Sequence, residues 1–80
     1  MTREEIYDRL TPVFRDVFDD ETIVLSEFTT ADDIDDWDSL AHIALVAAIE
    51  NEFGIRFDMK TALSIKSAAA IADAVSALIG

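Results

Sequence analysis

The sequence predicts an all-α protein, a small four-helix bundle of three main helices and one short one, with a long loop between the first and second helices. Three observations carry this expectation. Apolar residues recur at helical spacing in three separate stretches. Start and stop signals bracket those stretches. No strand pattern in the chain finds a partner. At 80 residues the length allows one small domain, 1–80.

Thr2-Arg3-Glu4-Glu5 reads as a capping box, with Thr2 as N-cap and Glu5 reaching back. Ile6, Leu10, Val13, Phe14 and Val17 then form one apolar stripe. Pro12 lies inside it, and the stripe keeps phase across the proline, which predicts one kinked helix rather than two segments. Residues 19 to 38 show no sustained period; loops this long are often functional. Ile23, Leu25, Phe28 and Ile34 are expected to anchor this one to the core, and Thr30 to Ile34 to form one helical turn. From Ser39 to Phe53 the helical pattern is strong, with Asp38 as N-cap and Gly54 just past the end. Ile55-Arg56-Phe57 is short and extended, and Asp58 caps a brief helix over Met59 to Leu63. Ser67 caps the last helix, whose stripe is Ile71, Val75, Leu78 and Ile79, and Gly80 ends the chain.

The charge is uneven. Seventeen acids against six bases give −11 with His42 neutral, and ten of those acids fall between Asp16 and Asp38, where there is no Lys or Arg. Such a balance disfavours nucleic acid and anionic membrane surfaces and favours a basic protein partner. With no cysteine, a disulfide framework, a thiolate metal site and a cysteine nucleophile are excluded. The polar first residues do not resemble a signal peptide, and no apolar run is long enough to span a bilayer, so a cytoplasmic monomer is expected.

The second helix holds the candidate site. On its wheel Leu45, Ile49, Phe53, Val46 and Ile43 form an inner arc that includes His42. The outer arc is Leu40, Ala41, Ala44, Ala47, Ala48 and Asn51, where an exposed helix normally carries charge. It reads as a flat docking surface, with Trp37 and Glu50 at its ends. Ser39 stands at the junction of the acidic loop and this helix. Its hydroxyl is expected to be exposed, near the positive end of the helix dipole and near unpaired N–H groups, where a phosphate is favoured.

Asp38-Ser39-Leu40 opening a helix that ends Ile49-Glu50-Asn51-Glu52-Phe53-Gly54-Ile55 resembles the acyl carrier proteins. The order of helices and the long loop resemble that family over nearly the whole chain. The resemblance implies that Ser39, flanked by Asp38 and Leu40, bears 4′-phosphopantetheine transferred from coenzyme A by a separate phosphopantetheinyl transferase. It further implies that the arm holds an acyl group as a thioester, loaded by an acyl or aminoacyl ligase and passed to downstream acyl-processing enzymes. No catalysis is implied for the carrier itself. His42, Leu45, Val46, Ile49, Ile65 and Ile71 would line an acyl pocket while also being core. Where carriers of fatty acid synthesis have acids on the outer face of this helix, Ala41, Ala44 and Asn51 stand here, and Trp37 replaces a glycine-containing approach. Trp-Asp-Ser-Leu is similar to stand-alone carriers of dedicated pathways, some with short, polar or aminoacyl cargo.

Three other classes compete. Asp38, Ser39 and His42 imitate a hydrolase triad, but three residues within one turn cannot supply an oriented base and an oxyanion hole. The acids at 32 to 38 invite a calcium loop, but none of the possible starts places a glutamate at position twelve. No metal site is therefore expected, while loose divalent binding by this loop stays open. A non-enzymatic acidic helical interaction module would share the charge and the docking face, with Ser39 as a plain helix cap.

Overall fold

The computed structural model describes residues 1–79; Gly80 lies outside them. Helices α1 (Arg3–Phe18), α2 (Ser39–Phe53), α3 (Met59–Ser64) and α4 (Ala68–Ile79) follow one another, with a single 3-10 turn at Ala31–Asp33 in the long loop. Among the described residues the only β pairing is an isolated bridge between Thr30 and Ser67.

α1 begins with the expected capping box. The Glu5 amide donates to Thr2 Oγ1 at 3.2 Å, and the Thr2 amide to Glu5 Oε1 at 2.9 Å. Hydrogen bonding from the Thr2 amide, and then from its hydroxyl, holds the Glu5 carboxyl below the usual carboxylate range. Pro12 sits within one continuous helix. Its missing N–H would have met the carbonyl of Asp8, and both residues are at least partly exposed, so that carbonyl is not sealed away from solvent. The helix stops at Asp19, which adopts the left-handed conformation at φ 50°.

Ile6, Leu10, Phe14 and Phe18 form the buried face of α1, which packs on α2 and α4. Leu45 and Ile49 come from α2, and Ile71, Ala72 and Val75 from α4. Leu78 was expected on the buried stripe of α4, but it is half exposed; Ala68 and Ala72 complete that face instead. Arg9 ties the end of α2 to α1, donating to Glu52 Oε2 at 2.9 and 3.0 Å and to its carbonyl at 2.7 Å.

In the long loop Ile23 is buried, and Leu25 and Ile34 pack against the core. Phe28 is not an anchor: it is 79% exposed. The turn Ser26–Thr29, closed by the Thr29 amide on the Ser26 carbonyl at 3.1 Å, puts Phe28 outward. Further along, the loop is clasped to the junction of α3 and α4. The Ala31 amide donates to the Lys66 carbonyl at 3.0 Å, and the Ala68 amide to the Thr29 carbonyl at 2.9 Å.

α2 ends as expected at Gly54, φ 65°, followed by the Ile55 amide bonding back to the Glu50 carbonyl at 3.0 Å. Asp58 caps α3 by accepting from the Thr61 amide at 2.7 Å, and this bond lowers its carboxyl pKa. α3 runs one residue past the predicted end, to Ser64. Ser67 caps α4 through the Ala70 amide at 3.1 Å.

Candidate functional site

Ser39 is the first residue of α2 and is exposed. Asp38, the N-cap, accepts from the Ala41 amide at 2.8 Å, and its own carbonyl takes the His42 amide at 2.8 Å. The amides of Ser39 and Leu40 have no acceptor within the helix and point toward its positive end. Among the described residues the Ser39 hydroxyl makes no hydrogen bond, so it is free to carry a substituent. Leu40 beside it is 79% exposed.

Behind Ser39 stands a buried aromatic pair. Trp37 was expected on the docking surface, but it is 8% exposed and belongs to the core. It meets Phe14 edge-on at 5.4 Å between centroids and Phe18 at 6.0 Å. The acids on either side face water while the indole turns in. His42 stacks on it at an interplanar angle of 17° and is 6% exposed. Trp37 Nε1–H donates to His42 Nδ1 at 2.9 Å. Since an indole nitrogen only donates, Nδ1 must accept, and the ring proton sits on Nε2. That proton goes to the Ala62 carbonyl of α3 at 2.6 Å.

A cleft of about 370 Å³ opens beside Ser39, bounded by Asp32, Asp38, His42, Ile43, Leu63 and Lys66 among others. Of the six residues expected to line an acyl pocket, His42 alone borders it. Leu45, Ile49 and Ile71 are fully buried, Ile65 is 3% exposed, and Val46 packs against the core. In so small a bundle the inner arc of α2 is consumed by packing. Ile43, placed on that arc by sequence, is 65% exposed. It lies roughly 120° round the wheel from Ile49, on the Ser39 side. Ile43, Leu63 and Lys66 were missed as cleft walls; only the wheel position of Ile43 next to Ser39 could have signalled one of them.

The predicted docking face is smaller than expected. Leu40, Ala44 and Ala47 are exposed, but Ala41 is half turned into the core, one wheel step from Leu45. Glu50 is half-buried, its Oε2 accepting from the Phe57 amide at 2.8 Å, so it fixes the turn after α2. All ten acids between Asp16 and Asp38 are exposed. Asp20, Asp33, Asp35 and Asp36 rim a groove beside the exposed Phe28. The hydroxyl and amide of Thr22 hold the Asp20 carboxyl below its ordinary range and keep it ionised. Among the described residues no three ligating side chains converge on a metal position, and no helix is long and apolar enough to cross a membrane.

A free serine hydroxyl at a helix start, beside an acidic approach and a solvent-facing cleft, leaves room for a covalently attached group, as a carrier domain requires. Residues 22–75 match the model of the phosphopantetheine attachment site, and the chain belongs to that family. It is also similar to the holo acyl carrier protein from Geobacter metallireducens, whose solution structure superimposes with a TM-score of 0.84 at 42% identity, covering 91% of this chain and 84% of that one. No curated protein matches the chain. The cofactor of the domain is therefore covalent 4′-phosphopantetheine, and the function is that of an acyl carrier. The residues present fit such a group: the free hydroxyl, the two unpaired amides and the ammonium of Lys66 suit a phosphodiester.

Proposed function

We propose that Ser39 is the attachment residue and that the chain is a single carrier domain over 1–80. The observation that carries this reading is the exposed, unbonded Ser39 hydroxyl at the amino end of α2, opening onto a cleft. When bound, phosphopantetheine supplies a thiol that holds an acyl group as a thioester. The chain's own residues orient and present it. Asp38 fixes the helix start, the Ser39 and Leu40 amides would hold the phosphate, and Lys66, on the same cleft, would offset its charge against the nearby acids. The carrier itself performs no chemistry on its cargo.

Partners are a phosphopantetheinyl transferase, an acyl- or aminoacyl-loading ligase and the acyl-processing enzymes that follow. Loop acids steer their basic rims, and Leu40, Ala44 and Ala47 form the apolar contact. The protein works as a cytoplasmic monomer in this reading. Short or polar cargo, aminoacyl groups included, is favoured by the polar walls Asp32, Asp38 and Lys66.

Intact mass tests the attachment. Incubation with coenzyme A, magnesium and a broad-range transferase is expected to add one phosphopantetheine to the wild type and none to Ser39→Ala. An unchanged wild-type mass would leave an acidic interaction module, with Ser39 as a plain first-turn residue.

A further inference from the structure

We propose that His42 is a bolt across the seam between α2 and α3, so that cargo on the Ser39 arm stays in the surface cleft and out of the core, which selects short or polar acyl groups. The proposal rests on the carrier reading of Ser39 and adds the device that keeps long acyl chains out of the core.

The seam is closed by bonds that cannot be released singly. His42 lies one turn from Ser39 and borders the cleft. Leu45 and Ile49, on the same face one and two turns on, are fully buried. A chain running from the cleft into the core along α2 must therefore displace the His42 ring. That ring spends Nδ1 on the indole of Trp37 and Nε2–H on the carbonyl of Ala62. Swinging it out orphans a buried indole N–H, and Trp37 cannot follow because Phe14 and Phe18 hold it.

The same motion undoes α3. A helix leaves its last four carbonyls without partners, and α3 has only six residues. Ser64 Oγ takes the Thr61 carbonyl at 2.9 Å, the Lys66 amide takes that of Ser64 at 3.0 Å, and His42 takes that of Ala62. His42 thus serves as a C-terminal cap lent by another helix, and losing it frees the end of α3 at the point where the seam would open. Outside the bolt, Ile43 and Leu63 give a short acyl chain a little apolar contact, and Asp32 and Lys66 suit polar or charged substituents. A long alkyl chain finds no such cover there.

Arms bearing acetyl, hexanoyl or decanoyl groups, installed on Ser39 from the corresponding acyl-coenzyme A and verified by mass, test this. Methyl NMR of Leu45, Ile49, Ile65 and Ile71 reports the core. In the wild type these signals are expected to coincide for all three cargoes, and the melting temperature to be independent of chain length. In His42→Ala the decanoyl form is expected to shift the core methyls and to melt higher than the acetyl form. His42→Gln, whose amide can accept from Trp37 and donate to Ala62, is expected to restore the wild-type pattern. Core shifts in the decanoyl wild type overturn the bolt whether or not the alanine variant folds. A wild type that gains no arm overturns the carrier reading, and this inference with it.

Discussion

Tyr7 ends in a buried hydroxyl with no hydrogen-bond partner. A buried hydroxyl left unpaired costs about 1–3 kcal/mol. Tyr7→Phe removes it while keeping the ring that packs against the core and sits under the Arg3 guanidinium. Urea unfolding is expected to show the variant as stable as the wild type or up to about 1 kcal/mol more so; a loss of stability would mean the hydroxyl is bonded in solution. At this scale the sequence was an uneven guide. It put Asp38 at the N-cap, Ser39 at the first position of α2 and Leu40 on the surface, because helix starts are written in three or four adjacent residues. It placed His42 inward by its wheel position, but the partners of its two nitrogens lie five and twenty residues away, beyond any local pattern. Trp37 was misread because the exposed acids flanking it advertise surface, whereas the turn closed by the Trp37 amide on the Ile34 carbonyl precedes an indole that packs inward.

Elements are fixed at their ends. α1 and α2 both stop in the left-handed conformation, α2 on Gly54 and α1 on Asp19. The first was legible, since glycine takes that conformation without penalty. The second was not, because an aspartate in an acidic run gives no stop signal. A side chain there carries strain of roughly 1 kcal/mol. Asp19→Gly is expected to raise the urea midpoint by an amount equivalent to up to about 1 kcal/mol, helped by the loss of one charge from the acidic stretch. An unchanged or lower midpoint would show that Asp19 is not strained. Phe28 marks the other limit of legibility. An aromatic in a loop reads as an anchor, yet the Ser26–Thr29 turn settles its direction through hydroxyl and backbone bonds.

Across the whole molecule the charge of −11 is concentrated on one side of the sequence, and all ten acids of that stretch are exposed. Among the described residues the two ion pairs, Arg3–Asp73 and Arg9–Glu52, join exposed side chains and contribute little. Repulsion therefore outweighs attraction. Raising sodium chloride from a few millimolar to about 0.1 M, where the screening length is about 10 Å, is expected to raise the melting temperature. The same salt is expected to slow association with a basic partner such as the transferase while changing its dissociation rate little. A melting temperature that falls with salt would mean that the ion pairs dominate.

The clasp between the long loop and the start of α4 gives this arrangement a mechanical side. Because Thr29 and Ala31 are tied to Ala68 and Lys66, the chain from 31 to 66 is a closed ring, and Ser39 rides on its rim. A tug on that serine is carried round the ring into the base of α4 rather than slackening the loop. A group attached to Ser39, as proposed, would therefore hang from a closed ring rather than from a loose loop.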